Sequence, residues 1–183
     1  MAKKIFNVAG RCCQDRHYMV ELTGRLQEIR KMVDAGQYFI INRARQYGKT
    51  TILQALKEYL REDYLVISLD FQMLSYADFE NEQSFTAAFS GELLEESGNI
   101  PDEIRDRLLE FTDRRVAHAT LSVLFQCLTE WCRTSDRGIV LMIDEVDSAA
   151  NNQVFVDFLA QFRGAYIRRD RTKTFQSVIL AGV

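Results

Sequence analysis

The sequence predicts an α/β fold in which a mostly parallel sheet is covered by helices on both faces. Three observations predict it. Short apolar runs recur at 38–41, 64–69, 139–143 and 177–180. They are apolar at consecutive positions, as strands buried on both faces require. Between them lie longer segments whose apolar residues are spaced three and four apart, the helical period.

The elements follow in order. A first helix is expected over 21–35, with Leu22, Leu26, Ile29 and Val33 on one face and Gly36 as its stop. Residues 38–41 read as a buried strand. From Thr50 the pattern turns helical through Ile52, Leu53, Leu56 and Leu60. A second strand over 64–69 is closed by Asp70. An acidic helical stretch carries Phe85, Phe89 and Leu93 on one stripe and ends near Gly98. Pro101, the sole proline, suits the first turn of another helix bearing Ile104, Leu108 and Phe111. A long helix is expected from about 117 to 131. The third strand, 139–143, is the most apolar. One more amphipathic helix carries Val154, Phe155, Phe158, Leu159 and Phe162, and a fourth strand covers 177–180.

The chain has 183 residues, of which 47% are apolar and 27% charged, with a net charge of -3. That is enough for one domain with a substantial core, and nothing marks an internal boundary. The expectation is a single domain over 1–183, the N-terminal part of a longer protein. A mildly acidic chain offers nucleic acid no global attraction, so any such contact would be local. No apolar run approaches the ~20 residues that span a bilayer. No apolar segment follows the two N-terminal lysines, so no signal peptide is read. Cys12 and Cys13 are adjacent, and Cys127 and Cys132 are spaced wrongly for a zinc knuckle. With His17 and His118 as the only histidines, reduced cysteines and a cytoplasmic location are expected.

The first strand is followed by Asn42-Arg43-Ala44-Arg45-Gln46-Tyr47-Gly48-Lys49-Thr50-Thr51 and then a helix. Gly-Lys-Thr-Thr is the second half of a Walker A phosphate loop. Amides at a helix N-terminus bind phosphate through unsatisfied donors and the helix dipole. Gly48 permits close backbone approach, Lys49 reaches the β and γ phosphates, and the Thr50 hydroxyl coordinates magnesium. The full pattern places glycine at 43, where this chain has Arg43. The third strand ends in Asp144-Glu145. In an open parallel sheet, ligands gather at the carboxyl ends of strands. An acid there holds magnesium, and the next acid polarises an attacking water. Lys49 and Glu145 are therefore the candidate catalytic residues. Arg45, Gln46, Tyr47, Gly48, Lys49, Thr50 and Thr51 are the candidate nucleotide-binding residues, and Thr50 and Asp144 the candidate magnesium ligands.

The run 38–51, with Val66-Ile67-Ser68-Leu69-Asp70-Phe71 and Leu141-Met142-Ile143-Asp144-Glu145-Val146-Asp147, resembles the bacterial AAA-like ATPases. Their glycine-poor phosphate loop has the form R-x-R-Q-[YF]-G-K-T. The resemblance covers about 17–183. It implies a three-layer α/β/α P-loop NTPase of the additional-strand class, with the Walker B strand not adjacent to the Walker A strand. It also implies ATP and Mg2+ as cofactors, and a fifth strand and helical lid beyond the last strand seen here. Many relatives resemble fusions to a C-terminal PD-(D/E)XK nuclease-like domain, so such a domain is an expected partner in the full-length protein. Self-association into a homo-oligomer stays open.

Other signals are weaker. Arg163, Arg168, Arg169, Arg171 and Lys173, against Asp170, form a basic cluster. It reads as helix C-terminal cations ahead of an arginine finger or nucleic-acid contact. Asp147 reads equally as a partner of Asp144 or as an N-cap. Tyr18 and Val20 precede the first helix, where related ATPases pack the base; they read as core residues ahead of that role. Ser177 lies on the last strand, whose far end carries a polar sensor in this class; here it runs Leu180-Ala181-Gly182-Val183. The expected function is an ATP-hydrolysing module that drives conformational change in a larger protein. The alternatives are a nucleotide-sensing signalling or defence module with little turnover and, more weakly, a kinase. No guanine-reading signature is evident, so ATP is the default.

Overall fold

The computed structural model describes residues 22–42 and 48–182. Among them the order is α1 (Thr23–Asp34), β1 (Tyr38–Asn42), α2 (Lys49–Leu60), β2 (Leu65–Asp70), α3 (Glu82–Glu96), α4 (Asp102–Phe111), α5 (Leu121–Thr134), β3 (Ile139–Asp144), α6 (Gln153–Ile167) and β4 (Ser177–Gly182). Short 3-10 turns occupy Phe71–Met73, Tyr76–Phe79 and Val146–Ala149.

The four strands form one wholly parallel sheet in the order β1-β4-β3-β2. β4 thus separates β1 from β3, the arrangement expected of the strands bearing the two motifs. Every residue of β3 is buried, because strands flank it on both sides and helices cover both faces. Alternate side chains divide between two cores, as the pleat dictates. Val140, Met142, Ile179 and Ala181 meet α1 and α2 through Ile29, Val33, Ile52, Leu53, Leu56 and Leu60. Ile139, Leu141, Ile143 and Val178 face the opposite layer, built from α3 to α6 and rich in phenylalanine. The result is a three-layer α/β/α fold.

Local chemistry explains several boundaries. Gly36 takes a left-handed φ of 66° after α1. Its N–H donates to Val33 O at 2.9 Å, and that of Gln37 to Met32 O at 3.0 Å, a Schellman stop. Asn81 caps α3 by accepting the Ser84 N–H at 2.9 Å. Three readings need correction. The helix expected from 117 starts at Leu121, because Thr120 takes an extended N-cap conformation and its hydroxyl accepts the Val123 N–H. Pro101 is the N-cap of α4 and not its first helical residue. The strand at 38–41 is not fully buried: β1 is an edge strand among the described residues, and Ile40 is 65% exposed.

No helix among the described residues is long and apolar enough to cross a membrane. Cys127 and Cys132 are free, buried thiols.

Candidate functional site

The carboxyl ends of β1, β3 and β4 and the N-terminus of α2 converge on one region. Gly48 caps α2 with φ 74° and ψ 27°, a left-handed conformation. A Cβ built there would meet nothing within 4 Å among the described residues, and the left-handed backbone angle itself favours glycine. The next residues, Lys49 and Thr50, form the first turn of a 12-residue helix. The amides of that turn have no acceptor within the helix.

β3 delivers Asp144 as its last residue, 5% exposed. Its Oδ2 accepts the Thr50 hydroxyl at 2.8 Å, and its Oδ1 accepts the Glu145 N–H at 2.9 Å. The two half-motifs, 94 residues apart in sequence, are thus in direct contact. Glu145 then takes φ 54°, the one left-handed non-glycine among the described residues. That backbone conformation is costly for a residue with a Cβ. It is held by Ser148, whose N–H and hydroxyl donate to Glu145 O at 3.1 and 2.8 Å.

The bend brings the Glu145 carboxylate to Lys49, with Oε1 3.8 Å from Nζ. Lys49 is 5% exposed, and its ammonium has no hydrogen-bond acceptor among the described residues. An ion pair at that distance balances charge but is too long for a hydrogen bond. A buried ammonium carries three donors, and leaving them unfilled is unfavourable. The site therefore holds a buried cationic donor with no acceptor among the described residues. Sequence reasoning assigned Lys49 and Glu145 separate roles and did not foresee their pairing.

Two further residues complete the rim. Asp70 ends β2 in register with Asp144, and its Oδ1 accepts the Gln72 N–H at 2.9 Å. Sequence reasoning used it only as a strand end, although an acid directly after an apolar strand is the signal that marked Asp144. Asp147 lies inside the 3-10 turn whose N-cap is Glu145, so it is not an N-cap. A Cβ on Gly182 would come within 3.1 Å of Asp147 Oδ1 and of Val146 Cγ2. The end of β4 is therefore glycine where a side chain would collide with the turn that carries Glu145.

Thr51 is half-buried in the first turn of α2. Arg43, Arg45, Gln46, Tyr47, Tyr18, Val20, His17, Cys12 and Cys13 lie outside the described residues. Ser177 sits at the amino end of β4 and donates to Gln37 O at 2.5 Å, far from the carboxyl-end cluster. The basic cluster is also remote. α6 runs back to the amino ends of the strands, where Lys173 donates to Ser135 O at 2.8 Å and Arg169 to Tyr166 O at 3.1 Å. A cleft of about 480 Å³ between α5 and α6 shares no residue with the Lys49 cluster. Its lining is mostly hydroxyls and amides with Glu130 and Arg168, and it has no strand-end carboxylate, so chemistry favours the sheet end over volume.

Among the described residues no group of three or more His, Cys, Asp or Glu forms a metal cage. Magnesium held by one carboxylate, one hydroxyl, phosphate oxygens and water needs none. A family model described as an AAA-like domain matches residues 12–183. No curated protein matches the chain.

Proposed function

The chain belongs to the AAA-like domain family, and from that premise we propose that it binds ATP at the carboxyl end of the sheet and hydrolyses it. The observation that carries the reading is the buried ammonium of Lys49, without an acceptor among the described residues, beside the Thr50–Asp144 hydrogen bond. A phosphate suits these donors chemically. It offers charge-assisted acceptors to Lys49 and to the first-turn amides of α2, whose dipole favours an anion.

Each residue then has a role. Lys49 donates to the terminal phosphates and neutralises charge that develops on them. Thr50 and Asp144 would hold a magnesium ion, their 2.8 Å contact placing a hydroxyl and a carboxylate side by side. Bound there, the metal would supply Lewis-acid polarisation of the phosphate oxygens. Glu145, bent outward by its left-handed backbone, accepts the proton of the attacking water. Arg45, Gln46, Tyr47, Gly48 and Thr51 complete the phosphate loop in this reading.

Electrostatics also suggests how binding would be signalled. Without an anion, Glu145 is the nearest counter-charge of Lys49. A phosphate competes for Lys49 and frees Glu145 for water. The turn that carries Glu145 packs on the end of β4, so the exchange provides a route to conformational output in a larger protein. Turnover tests the reading. Wild-type protein is expected to release phosphate from ATP in a magnesium-dependent way, and Glu145→Gln to lose that release. Equal phosphate release by both would refute the assignment.

A further inference from the structure

We propose that a small cleft at the amino ends of β2 and β3 binds a carboxylate that carries a short apolar chain. The proposal is independent of the nucleotide reading, because the cleft lies at the opposite end of the sheet from Lys49.

The cleft has a volume of about 200 Å³. Three segments form it: the start of β2 at Leu65, the link from α3 to α4 at Asn99 and Pro101, and the stretch from Trp131 near the end of α5 to Arg137 before β3. Trp131 singles it out. It is the sole tryptophan of the chain and is 1% exposed. Its indole N–H has no hydrogen-bond partner among the described residues. A buried donor without an acceptor is unfavourable, and the indole nitrogen can only donate. A ligand that satisfies it must therefore present an acceptor.

The charges around the cleft select an anionic acceptor. Arg137 gives one nitrogen to Arg61 O at 3.0 Å and has no ion pair among the described residues. Lys173 donates to the carbonyl of Ser135, another lining residue, at 2.8 Å. Asp136 is the one acid of the lining. Two cations thus stand against one carboxylate, and the amide of Asn99 adds a neutral donor. A cationic ligand would meet Arg137 and Lys173 and would offer Trp131 nothing to accept its proton. A bare inorganic anion would leave the apolar walls, Leu65, Pro101 and the indole ring, uncovered, so the acceptor carries a short chain that packs on them. Size sets the length of that chain. The 200 Å³ equal roughly six waters at about 30 Å³ each, and admit about that many non-hydrogen atoms. A four-carbon acid has that size.

Because Trp131 is the sole tryptophan, its fluorescence reports on the cleft directly. Butyrate is titrated into the whole chain at constant ionic strength, with excitation at the red edge of the indole band. Wild-type protein is expected to show a saturable shift of emission to longer wavelength as the indole N–H gains an acceptor, with a Kd of roughly 1 mM for so small a ligand. Neutral butyramide should bind about tenfold more weakly. Arg137→Gln should weaken butyrate binding by about three- to tenfold, and Asp136→Asn should strengthen it by about two- to threefold. Both positions are exposed, and circular dichroism verifies that both variants fold. A short peptide ending in valine forms a second arm. Tighter binding than butyrate assigns the carboxylate to a chain terminus and weaker binding to a free acid, and either supports the site. No saturable response in emission or in calorimetry means that the cleft takes up water alone, and overturns the proposal. So does equal binding of butyrate and butyramide, or folded variants that both bind like the wild type.

Discussion

The two faces of the sheet are built from different materials. The face under α1 and α2 is aliphatic: Ile29, Val33, Ile52, Leu53, Leu56 and Leu60 against Val140, Met142 and Ile179. The opposite face is aromatic. Phe158 alone has ring neighbours Phe71, Phe85, Phe89, Phe125, Phe155 and Phe162, at centroid distances from 4.8 to 6.4 Å. The aliphatic layer holds the helix that begins with Lys49 and Thr50, so its packing and the site share one element. The aromatic layer carries bulk and stability, and meets the site through β3 and the turn after it. The helix that begins with Lys49 and Thr50 and most of the core thus lie on opposite faces of the sheet.

Five substitutions, one of them read in a pH titration, break or sharpen that contrast. The largest expected effect is on the reaction. Glu145→Gln should cut turnover by roughly 100- to 10,000-fold while nucleotide affinity is kept, which phosphate release and equilibrium binding together would check. Phe158→Ala should remove about 3–5 kcal/mol of stability by leaving a cavity among six rings, with nucleotide affinity unchanged below the unfolding transition. Leu56→Ala, fully buried on the other face, should cost about 2–5 kcal/mol and also weaken nucleotide binding, because α2 carries Lys49 and Thr50. If urea titration and binding show both variants alike in affinity, the division between the faces fails. Gly48→Ala should cost about 1–2 kcal/mol, seen as a lower melting midpoint, because the left-handed φ of 74° remains while the space is open.

The smallest effect concerns pH. Burial pushes the Tyr38 hydroxyl from 10.0 to about 12. The folded state therefore favours the protonated form. Its contribution is fully present below the unfolded value of 10.0 and is lost as pH rises toward about 12. Tyr38→Phe should flatten part of the alkaline fall in urea midpoint, and an unchanged slope would contradict the assignment. The remaining slope should come largely from Tyr64, also raised to about 12 by burial and by its hydrogen bond to Asp34.

Much of this was legible because local and global signals agree. The unbroken apolar run in β3 foretold a strand buried on both faces, and Gly36 foretold the end of α1. Gly48-Lys49-Thr50 and Asp144-Glu145 each fell at a strand or helix end, where the fold could join them. What stayed hidden depends on neighbours. β1 has the same apolar character as β3, yet it lies at an edge of the sheet among the described residues, and sequence alone does not show which strand is flanked. The start of α5 was misplaced because Thr120 acts as a cap only once 117–119 turn away. The left-handed backbone of Glu145 gave no composition signal, since it is imposed by Ser148 and the packing of β4. That bend is what turns two separate motif residues into the Lys49–Glu145 pair.

The buried ammonium of Lys49 is the centre of the proposed phosphate site. Isothermal calorimetry with ATP and magnesium, on wild-type protein and on folded Lys49→Ala, tests it most directly. The account predicts a single magnesium-dependent site in the wild type and a loss of affinity of roughly 10- to 100-fold in Lys49→Ala. Binding of equal strength in both proteins, or none in the wild type, would contradict it.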